Sequence, residues 1–281
     1  MHHTRGQFAL IDVDDGVAVP RQRAEVGHAH AFYARVRKLP AMCTLVIARR
    51  VFPGIDLAVA ANRDERYDRP ARGPVVLDAR GPLVGGVDLT AGGTWFAAGA
   101  RLMGGITNRT DAPHDHARPS RGRLLLETLQ RPSLEEALTF ARAAAVRVNP
   151  HVLWLDDGVR SVALTFDGRS LHERELGEGI HVVASRDVDD DGDARAREAR
   201  TALEALAARP PDGAKQLALA LEELLRSHAE PGALCRHFDG RGTRSASVIV
   251  QPERGTPLWH WAEGAPCSSP FVPVNSFVLP R

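Results

Sequence analysis

Glycine pairs set between short, branched apolar runs are the feature that most limits how this chain can fold. Thr44 to Ala48 and Ile55 to Ala61 are rich in Val, Ile and Leu, and the turn-prone Phe52-Pro53-Gly54 separates them, which is a hairpin signal. Gly85-Gly86, Gly92-Gly93 and Gly104-Gly105 then punctuate segments around Trp95-Phe96-Ala97 and Leu102 to Thr107. That pattern predicts two more hairpins with tight turns at the glycines. At Pro132 the period changes. Leu134, Ala137, Leu138, Ala141, Ala145 and Val148 recur at helical spacing behind Pro132-Ser133, with Glu135 and Glu136 in the first turn, so a helix is expected over 133–148.

Val152 to Leu155 and Ser161 to Phe166 read as a strand pair across Asp157-Gly158, and Ile180 to Ala184 as a further strand. Ala194 to Ala208 and Ala214 to His228 are amphipathic helices broken by Pro210-Pro211-Asp212-Gly213, after which Ser245 to Val250 and Leu258 to Trp261 return to strand. Strands, helices, strands, helices and strands in that order predict an α+β layered fold.

Composition narrows the function classes. The 281 residues are 43% apolar and 25% charged with a net charge of +1, an ordinary globular balance that gives no field to attract nucleic acid or a membrane surface. A small molecule or a protein is the expected partner. No apolar run approaches the ~20 residues of a membrane-spanning helix. The first 41 residues hold four of the twelve histidines, and their apolar stretch from Phe8 to Val19 is broken by Asp12, Asp14 and Asp15. They do not read as a signal peptide. They are expected to be a disordered leader, a propeptide or a gene-start artefact ahead of a natural start at Met42. Cysteine occurs only at Cys43, Cys235 and Cys267, without CxxC or finger spacing. This argues against a disulfide framework or a structural zinc site and fits a reducing cytoplasm.

Two other signals carry metal-like chemistry. Asp187, Asp189, Asp191, Gly192 and Glu198 match the acidic positions and the glycine of an EF-hand loop, but a strand precedes them where the entering helix should be. Capping of the following helix is the expected role. His114-Asp115-His116 lies in a Pro- and Asp-rich loop with no third ligand placed by sequence. No metal or cofactor is expected.

The strongest motifs lie elsewhere. Met42-Cys43-Thr44 opens the first strand and Ala61-Asn62-Arg63-Asp64-Glu65 ends the second. They are followed in order by Gly92-Gly93-Thr94-Trp95, Ile106-Thr107-Asn108-Arg109, Ser120-Arg121-Gly122 and Gly242-Thr243-Arg244-Ser245. In these features residues 42 to 262 resemble the NRDE family, the relatives of transport and Golgi organisation protein 2. The resemblance implies a single domain over 42–281, built as an αββα sandwich of two antiparallel sheets between helix layers, of the N-terminal-nucleophile hydrolase type.

In such an enzyme the first residue's side chain attacks a carbonyl while its own α-amine takes the proton. Loss of Met42 would expose Cys43, setting a thiol of reference pKa about 8.5 beside an amine of about 7.7–8.0, close enough to share a proton near neutral pH. A plain buried strand cysteine is the alternative. In the related choloylglycine and penicillin acylases an arginine and an aspartate near this hairpin hold the cysteine and its amine. The resemblance carries those roles to Arg63 and Asp64, which are adjacent here, so strand alternation should turn only one of them toward Cys43. Asn62 and Glu65 are expected to shape the turn. Asn108 is similar to the asparagine of the superfamily's oxyanion hole, and Arg244 to the late arginine that supports the nucleophile by charge. Where many relatives have Ser-Asn, this chain has Ser185-Arg186, leaving a second oxyanion donor unmatched.

The resemblance implies a cysteine hydrolase of a non-peptide C–N bond, acting on a small-molecule amide or acyl substrate. The family's association with haem trafficking, lipid or acyl-CoA homeostasis and Golgi organisation implies the competing role, a non-catalytic binding or carrier protein. The chain has no Cys-Pro or Cys-x-x-Cys-His haem signature.

Overall fold

A computed structural model of the chain describes residues 43–78, 81–275 and 277–280, so the readings made of residues 1–42 lie outside the described residues. The strands are β1 (Thr44–Arg49), β2 (Ile55–Arg66), β3 (Ala71–Asp78), β4 (Leu83–Asp88), β5 (Phe96–Gly99), β6 (Met103–Asn108), β7 (His151–Asp156), β8 (Ser161–Phe166), β9 (Leu171–Glu175), β10 (Gly179–Val183), β11 (His237–Phe238), β12 (Arg241–Pro252), β13 (Leu258–Glu263) and β14 (Phe271–Pro273). The helices are α1 (Arg121–Leu129), α2 (Leu134–Ala145), α3 (Ala194–Ala208) and α4 (Gly213–Leu225).

Two antiparallel sheets result. The first runs β10-β1-β2-β12-β13-β14 with β11 on β12, the second β3 to β9 in chain order. Period-two alternation sorts the apolar side chains into three layers. Leu45, Ile47 and Val59 meet Phe96, Met103 and Trp154 between the sheets. On the other face of the first sheet, Val46, Ala58 and Val248 pack on Ala199 and Leu203 of α3 and Leu217 and Leu221 of α4. On the second sheet's outer face, Leu153 and Leu164 pack on Leu125 of α1 and Leu138 of α2. This is the expected αββα sandwich.

Local signals decide the helix starts. Ser120, Ser133 and Asp193 cap α1, α2 and α3, accepting from the backbone amides of Gly122, Glu136 and Arg195. The α4 helix stops at Leu225, short of the expected His228. Asn62 Nδ2 donates to Leu225 O and Leu234 O at 3.0 Å each, pulling the intervening chain away from the helix path. The apolar pattern misses β3 and β9, half-exposed edges of the second sheet, α1, a short helix with a single apolar face, and the very short strands β11 and β14.

The glycine pairs behave differently from expectation. Gly85, Gly86, Gly104 and Gly105 sit inside β4 and β6 rather than at turns. A Cβ on Gly104 would stand 2.5 Å from Trp154 O, and one on Gly86 2.2 Å from the Trp95 ring. Close packing, not chain reversal, is what needs glycine there. Of these six, Gly92 alone is in the left-handed region, at φ +67°.

Candidate active site

Alternation along β1 fixes which way Cys43 faces. Leu45 and Ile47 enter the layer between the sheets, so Cys43, two residues before Leu45, takes the same side. Thr44 pairs with Asn62, and the register extended by one residue sets Arg63 opposite Cys43. Arg63 is 5% exposed, with its guanidinium 4.1 Å over the Trp95 ring and 3.9 Å from Glu65. Burial lowers its pKa, and the nearby Cys43 and Glu65 charges oppose that shift.

Asp64 has a different set of partners. Its carboxylate, wholly buried, accepts from Thr243 Oγ1 at 2.7 Å and faces Arg195 Nη1 of α3 at 3.4 Å. From there the Asp64 charge still acts on the Cys43 thiol, and its backbone amide donates to it. Burial pushes the Cys43 thiol up to about 11; the Asp64 charge adds to this, and the Arg63 charge and the Asp64 backbone amide act against it. With residues preceding it in the chain, Cys43 is therefore a protonated thiol near neutral pH.

Cys43 borders two spaces. One is a void of about 20 Å³ between the sheets, also lined by Trp95, Thr107 and Ser245. It is room for a single water, and the buried Thr107 and Ser245 hydroxyls beside it make no hydrogen bond within the protein. The other is an open cavity of about 370 Å³ lined by Arg63, Glu65, Asp88, Asn108, His114, His116 and Arg121, among others. Asn108 ends β6, opposite His151. Burial lowers the Arg121 pKa to about 10, while the Cys43 and Glu65 charges oppose it, and Nη1 donates to Pro150 O at 3.2 Å.

The remaining motifs build the cavity's walls. Asp88 accepts from Thr90 N, Ala91 N and the Arg69 guanidinium, while Gly92 N bonds Asp88 O, forming the turn before Thr94-Trp95. Gly93 lies against the start of α1: Thr94 N donates to Gly122 O at 3.0 Å, and a Cβ on Gly93 would be 2.3 Å from Gly122 C. Thus Gly92-Gly93-Thr94-Trp95 and Ser120-Arg121-Gly122 are one packed unit, which delivers Trp95 and Arg121 to the cavity. Arg121, Thr107 and Ser245 belong to the ordered sequence motifs, but only the packing gives them a place beside Cys43.

Not every expected residue gathers there. Arg244 occupies a bulge in β12 between Thr243 and Ser245, does not line either space, and acts electrostatically on Tyr67. Arg186 lies 3.6 Å from Asp190. Two acids of the EF-hand-like run face protein partners, and the cap of the following helix comes from Asp193, outside the matched positions. Asp187 bonds Arg109 at 2.5 Å, and Asp189 meets His181, Arg174 and Arg200.

The layering of the two antiparallel sheets between helices is an N-terminal-nucleophile-hydrolase-like fold. Within it the chain belongs to the Transport and Golgi organisation 2 family, whose sequence profile matches residues 42–256. Among solved structures it is similar to an N-acylethanolamine-hydrolyzing acid amidase ortholog from Caenorhabditis elegans, with TM-score 0.50 and 15% identity over 75% of this chain and 94% of that one. No curated protein matches the sequence. Among the described residues no helix is long and apolar enough to cross a membrane.

Proposed function

We propose that residues 42–281 form a cysteine amidohydrolase that cleaves a non-peptide C–N bond in a small amide, with Cys43 as nucleophile once its α-amine is free. One observation carries this reading. Cys43 stands where the inter-sheet layer opens into a cavity that also presents Arg63, Asn108 and Arg121. The sulfur attacks the acyl carbon as its proton passes to the Cys43 amine. Asn108 and backbone amides hold the oxyanion, the amine protonates the leaving nitrogen, and water releases the acid from the thioester. Arg121, beside the capped start of α1, gives the cavity a positive group suited to a carboxylate on the substrate. The C–N bond named for the C. elegans neighbour supports the bond type. Three unpaired thiols fit a reducing cytoplasm.

The raised pKa of the unprocessed thiol favours a second reading, a haem or acyl-CoA carrier in which Cys43 contacts ligand without turnover. Protein beginning at Cys43, protein retaining residues 1–42, and Cys43→Ala separate the two. Each is offered N-acyl amino acids, β-lactams and acyl homoserine lactones, with product and acyl-enzyme followed by mass spectrometry. A free amine as general base is worth ~10²–10⁴-fold, so turnover is expected only from the Cys43-initiated form. Equal turnover by the long form removes the N-terminal mechanism. No turnover by any form, with equal haem or acyl-CoA binding, establishes the carrier.

A further inference from the structure

Away from the cavity, the loop after α4 and the turn after β13 bring together two cysteines and two histidines that the reaction does not use. One donor atom from each of His228, Cys235, His237 and Cys267 falls within 4.8 Å of all the others. His237 Nε2 lies 3.6 Å from Cys235 Sγ and 3.2 Å from Cys267 Sγ. With Zn–S near 2.3 Å and Zn–N near 2.0–2.1 Å, the edges of a tetrahedral S₂N₂ site are about 3.3–3.8 Å. The two edges from His237 Nε2 already stand at about ligand spacing, and the remaining ones lie within 4.8 Å, so small side-chain rotations close the set. We propose that His228, Cys235, His237 and Cys267 form a structural zinc site.

Three further features fit that assignment. The donors are two sulfurs and two imidazoles with no carboxylate, a set that selects zinc over calcium or magnesium. The other ring nitrogen of His237 faces the Tyr67 hydroxyl at 3.4 Å, the outer contact that orients a ligating imidazole. Gly242 makes room for that hydroxyl, since a Cβ there would be 2.3 Å from Tyr67 Oη. The backbone supports both ligand-bearing segments. Leu234 N and Cys235 N both donate to Ser227 O, Ser268 N and Ser269 N both donate to Ala265 O, and Arg226 Nε donates to Pro266 O at 3.1 Å.

The site ties a loop to the family motif. Asn62 grips the loop at Leu225 O and Leu234 O. Thr243 exchanges two hydrogen bonds with the Arg236 backbone, between two of the ligands, and donates to Asp64. Zinc would staple residues 228–237 and the 265–269 turn against β2, taking one proton from each thiol into the buffer. Sequence spacing conceals it because Cys267 lies thirty residues beyond His237, across the hairpin of β12 and β13.

The test uses the full chain, stripped of metal under reducing conditions and titrated with Zn²⁺ against a chromophoric chelator and with Co²⁺ by absorption. One equivalent of Zn²⁺ is expected, with a tetrahedral thiolate Co²⁺ spectrum and a rise in melting temperature. Cys267→Ser and His228→Ala, both at exposed positions, should lose the spectrum and the rise while keeping the wild-type circular dichroism. Tyr67→Phe should keep the spectrum and bind zinc roughly 10–100-fold more weakly. Substoichiometric zinc, an octahedral Co²⁺ spectrum, or unchanged affinity in Cys267→Ser would overturn the site. So would a Cys235–Cys267 disulfide in protein that takes up no zinc once reduced, which would make the pair a redox couple. None of these outcomes bears on turnover at Cys43.

Discussion

Replacing Asp64 by Asn separates a structural role for this carboxylate from a direct role at the thiol. The Asp64 side chain is fully buried, accepts from Thr243 Oγ1 at 2.7 Å, and lies 3.4 Å from Arg195, whose side chain is 4% exposed. Removing one partner of a buried pair costs about 3–5 kcal/mol, with Arg195 still holding Ser185 Oγ at 3.3 Å and facing the Asp193 charge. With a urea m-value of about 3 kcal/mol/M, the unfolding midpoint should fall by roughly 1–1.7 M. Asp64→Asn/Arg195→Met, which removes both charges, should recover most of that loss, giving a coupling above about 1 kcal/mol. The same variant reports on Cys43. Since the Asp64 charge raises the thiol pKa, its removal lowers that pKa, enlarges the thiolate fraction and should speed alkylation of Cys43 in the folded, unprocessed chain. A midpoint within 0.3 M (about 1 kcal/mol) of wild type, or a double variant no more stable than the single one, would refute the buried-pair argument. Slower alkylation would show that Asp64 supports the thiolate directly, as in the acylases.

Two further outcomes follow from packing and burial. Gly93→Ala places a methyl 2.3 Å from Gly122 C and 2.5 Å from Arg123 N, both backbone, so overpacking of about 1–3 kcal/mol should lower the melting temperature by several degrees; an unchanged melt would contradict the close contact. Burial lowers the His151 pKa from 6.5 to about 4, and its Nε2 has no hydrogen-bond partner, so folding favours the neutral ring. The stability it contributes is fully present above pH 6.5 and is lost as pH falls toward 4, about 3 kcal/mol in all. Urea titrations of His151→Phe should show a correspondingly flatter profile across that window, and an identical slope would refute the assignment.

The first hairpin, α2, α3, and the strands on either side of Asp157-Gly158 were legible because each buries a regular apolar face, and periodicity alone specifies such an element. That an acid caps α3 was legible as a local signal, but the cap is Asp193 rather than one of the EF-hand-like acids. Strand alternation also gave the divergence of Arg63 and Asp64 before any contact was known. What the sequence could not give is whatever depends on two distant segments meeting. Gly93 reads as a turn residue until Gly122 is seen against it. Thr107 and Ser245 read as ordinary strand hydroxyls until β6 and β12 face each other across Cys43. His228, Cys235, His237 and Cys267 match no spacing rule, because their convergence is set by the β12–β13 hairpin and by Asn62 holding the loop after α4. Local order follows from short-range sterics and hydropathy, which are written along the chain. The site follows from sheet-on-sheet packing, which is decided only when both faces are buried together.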